Sequence, residues 1–417
     1  LRMNWSLENY GKYLDYKRNK EKYFCPIQIE NFKVDEEKIY YGVNLDMDHM
    51  EIPREEIRKK INPFINFCGF DDSLSYLRET IKGMNLPQFY IKEKGVWTGG
   101  HEENCRIRSI NISHGPQGSE WYGVRLEDAK VFSDYLKKKH NFDIYVKEGL
   151  WYEDWEYFLK NKLNVLYTIQ KEGDIILVGP GCIHWVKSLG FATHSSWNFF
   201  PKEKIAFEIA LDRFNINKTI PTRSFVPIYT LMIHILNFEM YYLDLNLVKF
   251  CYEKIKEMHS ESTKKLKNIL DNPKYFQLQL LKEESHLVVC ELCYDELFNF
   301  WSYGDLSIRK EKFDAIMCSK CFEKEFNNFD LNSQITIGYK YEIEEIEKLL
   351  ERVERRIRIE EVGDVEYLNE FQPFLVKINN DTVFNCKIKM EFIQRNLEDK
   401  NLTFFLNKNN KIFEKIS

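Results

Sequence analysis

The chain has 417 residues, of which 44% are apolar and 15% aromatic, so it is not intrinsically disordered and can form a sizeable core in two or three domains. Its formal net charge of −5 argues against a general polyanion-binding surface. The ten cysteines include two Cys-x-x-Cys pairs, which is typical of a metal site with buried thiols and of a reducing compartment.

Residues 1–84 are predicted to form a helical N-terminal lead-in. Its elements are helices over 6–23, 54–65 and 71–84 and a short strand over 40–47. Short strands separated by glycine and proline turns then follow, at 89–91, 105–112, 119–124 and 174–178, with helices at 126–140 and 151–161. This pattern predicts a jelly roll over residues 85–203 and an α+β fold class.

The rest of the chain is predicted to be mainly helical. A linker over 204–285 contains helices at 204–214, 226–241 and 246–272, and a helix at 341–357 closes the segment 286–357. The apolar stretch at 225–245 contains Pro227, His234 and Glu239, so we interpret it as a core helix and not as a membrane span. The sequence indicates no role for the C-terminal extension 358–417.

Two histidines and a glutamate form the most informative pattern. His101 and Glu103 lie in the segment Thr-Gly-Gly-His-Glu-Glu-Asn, and His184 follows a Gly-Pro-Gly turn. A His-x-Glu pair with a distant histidine is the sequence form of a facial triad that holds non-haem Fe(II) and leaves positions open for a co-substrate and O2. The pattern predicts oxidation with an oxo-acid co-substrate.

Four polar residues near this motif are candidates for a co-substrate pocket. A lysine that points into a barrel is costly unless it meets an anion, which makes Lys92 a candidate partner for the acid. Thr98 lies between Lys92 and the triad, while Ser109 and Asn111 alternate along one predicted strand and share a face. Solvated strand residues are the alternative interpretation of these positions.

The two cysteine pairs predict a second metal site. Cys290 and Cys293 precede Cys318 and Cys321 by a few tens of residues. This spacing is typical of a closed, structural Zn(II) site with four thiolate ligands. Because so small a segment has little core of its own, we expect the metal to drive its folding.

These motifs together resemble the JmjC-domain lysine demethylases, and within them the UTX-like branch that acts on lysine 27 of histone H3. The resemblance rests on the segments 83–92, 98–104, 109–116 and 120–122, His184-Trp-Val, and Trp197-Asn198. That branch also has helices and then a GATA-like four-cysteine zinc module after its JmjC domain, and the same order occurs here. The resemblance covers about residues 41–350 and not the tail after residue 372.

The resemblance implies a role for each matching position. His101, Glu103 and His184 would hold Fe(II). Lys92 and Thr98 would bind the distal carboxylate of 2-oxoglutarate. The remaining assignments are Ser109, Asn111 and His194 to the co-substrate pocket and Tyr90 to the methylated ammonium. The zinc module would hold part of the histone tail.

The chain departs from the family at two positions. His194 stands where the family usually has an asparagine ten residues after the second histidine ligand, and His114 replaces an apolar residue. Neither position is an expected metal ligand, so activity is expected.

The expected function is Fe(II)- and 2-oxoglutarate-dependent demethylation of tri- and dimethylated lysine 27 of histone H3, with O2 consumed and formaldehyde and succinate released. The family implies a nuclear chromatin regulator whose partners are the histone H3 tail and chromatin complexes, without sequence-specific nucleic-acid binding or a membrane. Two alternatives stay open: a JmjC protein hydroxylase, and a histone-tail reader without catalysis.

Overall fold

The computed structural model of the chain describes only part of the sequence. The described residues are 41–46, 67, 69, 71–77, 80–146, 155–220, 224–271, 278–282, 289–293, 296–308, 311–325, 335–362, 375–378, 381–384, 402–406 and 412–416. The helices predicted at 6–23 and 54–65 lie outside them. The chain divides into two compact units, Leu1–Leu231 with Lys265–Lys340 and Met232–Lys264 with Tyr341–Ser417.

A two-sheet jelly roll forms the first part of unit one, as the sequence predicted. Its strands are β1 (Tyr41–Asp46), β2 (Gln88–Lys92), β3 (Trp97–His101), β4 (Arg108–Pro116), β5 (Ser119–Val124), β6 (Leu166–Gln170), β7 (Ile175–Val178), β8 (Ile183–Ser188) and β9 (Ala192–Phe199). The larger sheet has the order β1-β2-β9-β4-β7 and the smaller sheet β3-β8-β5-β6. Every pairing within these two sheets is antiparallel.

The register of β9 between β2 and β4 decides which residues share a face. Gln88, Tyr90 and Lys92 lie opposite Ser196, His194 and Ala192, while Ser109, Asn111 and Ser113 lie opposite Asn198, Ser196 and His194. Directly opposed residues of an antiparallel pair point to the same side. These side chains therefore form one polar inner face, and Phe67, Ile110, Trp197 and Phe199 pack on the outer face.

Two helices cover the outer face of the smaller sheet. Helix α1 (Ala129–His140) buries Phe132 and Leu136 at helical spacing and ends at Asn141 in a left-handed conformation. Helix α2 (Trp155–Lys160) contributes Phe158 to the same cluster, in which Trp185 of β8 stacks on Phe132 with ring centroids 5.7 Å apart. Burying aromatic side chains of this size contributes about 1.5–3 kcal/mol each.

The helix predicted over 71–84 is wrong. The described residues there contain a short 3-10 helix, Ser73–Tyr76, and an isolated bridge between Lys82 and Leu86. The buried Asp72 carboxylate accepts hydrogen bonds from the amides of Leu74 and Phe200 at 3.0 Å each, so this backbone bonds to the end of β9. The apolar residues of this segment have helical spacing, but tertiary hydrogen bonds determine its backbone conformation.

The segment before β4 is a tight turn, whereas the sequence predicted that the strand begins at residue 105. A 3-10 helix spans Asn104–Arg106, and Cys105 and Arg106 have positive φ angles of 53° and 55°. Non-glycine residues adopt this conformation at a cost of about 1–3 kcal/mol. Interactions of Arg106 offset that cost.

A buried ion cluster holds this turn. Arg106 Nε donates to Glu102 Oε1 at 2.7 Å, and Arg213 Nε lies 3.3 Å from Glu102 Oε2. Arg106 also pairs with Asp212, and Arg213 donates to the carbonyl oxygen of Tyr145 at 3.2 Å. Burial raises the pKa of the Glu102 carboxyl, and the two guanidinium groups oppose that shift. The cluster joins the turn to α3 (Lys204–Thr219), a longer helix than the one predicted at 204–214.

The predicted zinc segment forms a small sheet with a short helix. Its elements are β11 (Phe300–Ile308), β12 (Glu311–Met317), α6 (Ser319–Glu325) and β13 (Ile335–Tyr339). A further strand, β10 (Leu278–Lys282), comes from the segment predicted as a helical linker and completes the sheet, whose order is β10-β13-β11-β12. Buried Glu296 accepts hydrogen bonds from the amides of Tyr229 and Thr230 at 3.5 and 3.4 Å. These amides begin helix α4 (Ile228–Glu239), predicted at 226–241.

The second unit is mainly helical. Helix α5 (Leu245–Leu270) corresponds to the prediction at 246–272 and contributes residues 245–264 to this unit, while α7 (Ile343–Val362) extends the prediction at 341–357. Ion pairs such as Lys249–Glu361 at 2.6 Å link residues of the unit. Four tail strands form two hairpins, β14 (Leu375–Ile378) with β15 (Asp381–Phe384) and β16 (Leu402–Leu406) with β17 (Ile412–Ile416). Among the described helices, none is long and apolar enough to cross a membrane.

Glu102→Ala should destabilise the jelly roll, because it leaves Arg106 and Arg213 buried without their shared carboxylate. We expect the free energy of unfolding to fall by about 3–5 kcal/mol, measured by urea denaturation. Glu127→Ala is the matched control, since its pair with Arg125 is exposed and should contribute less than about 1 kcal/mol. Equal stability of the two variants would contradict this account of the turn.

Candidate active site

The jelly roll brings the three predicted iron ligands together. His101 ends β3 and lies opposite His184 of β8, and Glu103 follows in the turn held by the ion cluster. One ligand atom from each of the three lies within 4.8 Å of the others. His101 and His184 have ring centroids 4.2 Å apart, and Trp121 stacks on His184 at 5.9 Å.

Backbone carbonyls orient both histidine rings. The Nδ1 of His101 lies 2.9 Å from the carbonyl oxygen of Gly99, and the Nδ1 of His184 lies 3.2 Å from that of Cys182. A carbonyl only accepts, so each Nδ1 carries the proton and each Nε2 keeps a lone pair for a metal. His184 Nε2 lies 3.7 Å from Glu103 Oε1, within the roughly 4.2 Å allowed for two atoms that ligate one ion.

The Glu103 carboxylate is also held by neutral donors. Asn198 Nδ2 donates to Glu103 Oε2 at 3.0 Å and to the carbonyl oxygen of Arg108 at 3.3 Å. Burial raises the pKa of Glu103, but His184, His101 and hydrogen bonds from Asn198 and Ser109 outweigh it, so the net pKa is lowered. Burial lowers the pKa of His184 to about 4. Two neutral imidazoles and a carboxylate are the protonation states that fit Fe(II).

A buried lysine lies in the cavity beside this centre. Lys92 is 4% exposed, its Nζ donates to Thr98 Oγ1 at 3.0 Å, and Tyr41 OH lies 2.9 Å from the same oxygen. Burial lowers the pKa of Lys92 to about 7. In the described part of the chain no carboxylate pairs with Lys92, so the site is arranged to receive an external anion.

The other predicted pocket residues lie on the same inner face. Ser109 contacts the Glu103 carboxylate, and Asn111 Oδ1 accepts from Gln170 Nε2 at 3.2 Å and lies 3.0 Å from His194 Nδ1. His114 instead has its Nε2 2.7 Å from Ser195 Oγ. The structure therefore groups Asn111 with His194 and places Ser109 beside the metal ligand.

Tyr90 lies on the polar inner face beside His194 of β9. Burial raises its pKa above the usual range, and the nearby charges of Tyr41 and Glu103 add to the shift. A buried tyrosine near both Glu103 and Tyr41 is suited to contact a substrate that reaches this face.

The four predicted zinc ligands also meet. Cys290 and Cys293 precede β11, Cys318 follows β12 and Cys321 lies in α6, and one sulfur from each lies within 4.8 Å of the others. The Cys293 and Cys318 sulfurs are 3.8 Å apart. A tetrahedral Zn(II) with bonds of about 2.3 Å separates its sulfurs by about 3.8 Å, while a disulfide needs about 2.05 Å. The geometry fits zinc.

Sequence reasoning missed three residues that contact the predicted site. Tyr41 bonds to Thr98, Asn198 to Glu103, and Gln170 to Asn111. Each contact joins residues 57 or more positions apart, so no local motif marks it. Two signals were available for Asn198. It belongs to the Trp197-Asn198 segment of the resemblance, and the alternation of Ser196 and Asn198 with apolar Trp197 predicts a strand with a polar face.

Comparison with known proteins identifies the jelly roll. Residues 88–199 match the family model described as "JmjC domain, hydroxylase". Lysine-specific demethylase 6B of Homo sapiens is 29% identical over 199 residues, which are 47% of this chain and 12% of that protein. Lysine-specific demethylase jmjd-3.1 of Caenorhabditis elegans is 26% identical over 196 residues, 46% of this chain and 18% of the relative.

A plant protein shows the same likeness. Lysine-specific demethylase REF6 of Arabidopsis thaliana is 24% identical over 155 residues, or 34% of this chain and 11% of that protein. The chain thus spans less than a fifth of the length of each of these relatives.

Cys293→Ala should remove one equivalent of zinc and unfold the four-cysteine module, because three thiolates hold zinc less tightly and the module folds around the ion. Metal analysis by inductively coupled plasma mass spectrometry measures the loss. Cys251→Ala, which changes a buried cysteine outside the cluster, should keep its zinc. Unchanged zinc content in Cys293→Ala would rule out the four-cysteine site.

Proposed function

Residues 88–199 form a JmjC domain, and from that premise we propose that the chain is an Fe(II)- and 2-oxoglutarate-dependent oxygenase that demethylates lysine. As its substrate we propose tri- and dimethylated lysine 27 of histone H3. The observation that carries the proposal is the nearness of the His101–Glu103–His184 cluster to the buried Lys92, which pairs with no carboxylate among the described residues. A metal triad beside a cation is suited to a chelating dicarboxylic acid.

When bound, Fe(II) with 2-oxoglutarate and O2 supplies the oxidation. The chain would hold the ion through the Nε2 atoms of His101 and His184 and one oxygen of Glu103, while the carbonyls and Asn198 keep these side chains in orientation. A 2-His-1-carboxylate set of this kind would leave coordination positions for the co-substrate and O2. Hydrogen bonds to side chains that ligate a metal keep the orientation and the basicity of those side chains constant.

Lys92 would receive the distal carboxylate of 2-oxoglutarate. Its ammonium and the Thr98 hydroxyl form a cradle that Tyr41 supports from β1. Lys92 is buried, and Thr98 and Tyr41 are half-buried. A charge-assisted hydrogen bond in such a site is worth about twice a neutral one. The cradle therefore sets the depth at which the acid binds relative to the ligands.

Tyr90 and the walls of the cavity would position the methylated lysine. A methyl group that is oxidised to its N-hydroxymethyl form leaves as formaldehyde, with the proton returned to the amine, while 2-oxoglutarate ends as succinate and CO2 and accounts for the second oxygen atom of O2. The chemistry needs no lone pair on the amine, so a trimethylated lysine is an allowed substrate.

The histone assignment rests on two supports. The relatives are named lysine-specific demethylases, and a folded four-cysteine module follows the jelly roll in the same compact unit. We propose that this module contacts the histone H3 tail, and that the protein acts in the nucleus with chromatin complexes.

Affinity for 2-oxoglutarate should depend on the charge of Lys92. Its pKa of about 7 is depressed, so the ammonium is present below pH 7 and a proton must be taken up on binding above it. We expect the dissociation constant to be constant below pH 7 and to rise by up to about tenfold per pH unit above it. Isothermal titration calorimetry in buffers of different ionisation enthalpy measures the proton uptake. Lys92→Arg, which stays charged, should bind without proton uptake, and equal uptake in both proteins would contradict the assignment.

The activity itself is tested with a histone H3 peptide trimethylated at lysine 27, incubated with the protein, Fe(II), ascorbate and 2-oxoglutarate. Mass spectrometry should show stepwise loss of methyl masses, and His184→Ala should abolish it because one of three iron ligands is gone.

A lysine 9 peptide is the substrate control, and intact zinc content in His184→Ala shows that the zinc module is folded. Gain of one oxygen mass without methyl loss would replace demethylation by hydroxylation. Succinate formation retained in His184→Ala would overturn the assignment of the metal site.

A further inference from the structure

A chain of buried and half-buried hydrogen bonds crosses the space between the two sheets. It begins in the smaller sheet, passes to the larger sheet and returns. Its members are Trp121, Gln170, Asn111, His194 and Ser119. Two of its links, Gln170 to Asn111 and His194 to Ser119, join different sheets, so the chain fixes their separation at the end of the cavity near β7.

The indole of Trp121 sets the direction of every bond in this chain. Its Nε1–H can only donate, and it donates to Gln170 Oε1 at 2.8 Å. The Gln170 NH2 group is therefore the end that faces β4. It lies 3.0 Å from the carbonyl oxygen of Asp174, 3.1 Å from that of Asn111 and 3.2 Å from the Asn111 side chain. The two hydrogens of this NH2 group are shared among the three acceptors, and the Asn111 side chain presents its oxygen because a second NH2 would place donor against donor.

The orientation of Asn111 in turn fixes the proton on His194. The Nδ1 of His194 lies 3.0 Å from Asn111 Oδ1, so Nδ1 carries the hydrogen. The Nε2 of His194 is then an acceptor for the Ser119 hydroxyl at 3.1 Å. His194 is 1% exposed, and burial together with the charges of Lys92 and His114 lowers its pKa to about 3. The ring is neutral and is held in one tautomer.

In the described part of the chain, the NH2 group of Asn111 makes no hydrogen bond. Its oxygen is occupied by two donors, from His194 and Gln170, so its NH2 group is directed away from them. Asn111 shares the inner face of β4 with Ser109, which contacts the Glu103 carboxylate. The NH2 group is thus a hydrogen-bond donor on the same inner face of the sheet as Lys92.

We propose that His194 is a positioning residue that, with Gln170, locks the Asn111 carboxamide so that its NH2 group faces the oxo-acid. The inference rests on the proposed function, because it takes 2-oxoglutarate as the ligand. His194 does not itself touch the acid; it removes the alternative amide orientation, in which an oxygen would face a carboxylate. Such a rotation would replace an attraction by a repulsion between acceptors.

Two substitutions of nearly equal size separate this role from a packing role. An asparagine places its NH2 group where histidine has Nδ1, while a glutamine places it where histidine has Nε2. His194→Asn should therefore keep the donor to Asn111, and His194→Gln should lose it. A third variant, Gln170→Glu, still accepts from Trp121 but cannot donate to Asn111.

Binding of 2-oxoglutarate to the Fe(II)-loaded protein is measured by anaerobic spectroscopic titration, and KM and kcat by succinate release. We expect His194→Gln and Gln170→Glu to weaken binding and raise KM by about tenfold to hundredfold, with kcat changed less than about threefold. His194→Asn should stay within about threefold of the unsubstituted chain.

Nuclear magnetic resonance of ¹⁵N-histidine protein without iron gives a second readout. The His194 signals, identified by their loss in His194→Asn, should show a protonated Nδ1 and an unprotonated Nε2. The opposite tautomer, or equal 2-oxoglutarate binding by His194→Gln and His194→Asn, would overturn the inference while the proposed function stands. Failure of the unsubstituted chain to bind 2-oxoglutarate would overturn the proposed function and the role of His194 toward it, and the tautomer measurement would still test the network.

Discussion

The register of β9 between β2 and β4 is the constraint on which the cavity depends. It aligns Lys92, Tyr90, His194, Asn111 and Ser109 on one inner face of the larger sheet. A slip of one residue in this pairing would turn that polar face outward and the Trp197 face inward. Because Phe67, Ile110, Trp197 and Phe199 are packed on the outer face, the hydrophobic cluster selects the register, and the register selects the cavity.

The metal centre depends on contacts that are not ligands. Two carbonyls orient the histidine rings, and His184 and His101, with hydrogen bonds from Asn198 and Ser109, lower the pKa of Glu103 despite its burial. The turn that delivers Glu103 contains residues in a left-handed conformation, and the Glu102–Arg106–Arg213 cluster offsets their cost. The two neighbouring carboxylates therefore have different roles. Glu102 stabilises the turn, and Glu103 lies with His101 and His184.

The sequence predicted the jelly roll and which residues would meet at the metal clusters, because spacing and residue type carry that information locally. It failed where the determining partner is distant in sequence. The apolar spacing in 71–84 is helical, yet Asp72 bonds to Phe200, 128 residues away. Tyr41, Gln170 and Asn198 are ordinary residues in the sequence, and only strand pairing places them against Thr98, Asn111 and Glu103. The segments 6–23 and 54–65 stay predictions.

The balance of charge in the cavity explains why one anion would suit it. Burial depresses the pKa of the Lys92 ammonium. Burial and the nearby charge of Lys92 keep His194 neutral, and its hydrogen bonds hold the ring in one tautomer. A second cation there would oppose the first, whereas a neutral ring leaves a single positive charge. One carboxylate would neutralise that charge, and the other end of the same molecule could reach the metal position. A histidine in place of asparagine at residue 194 is therefore compatible with an oxo-acid pocket. A neutral histidine with a protonated Nδ1 offers Asn111 the same hydrogen-bond donor that an asparagine would.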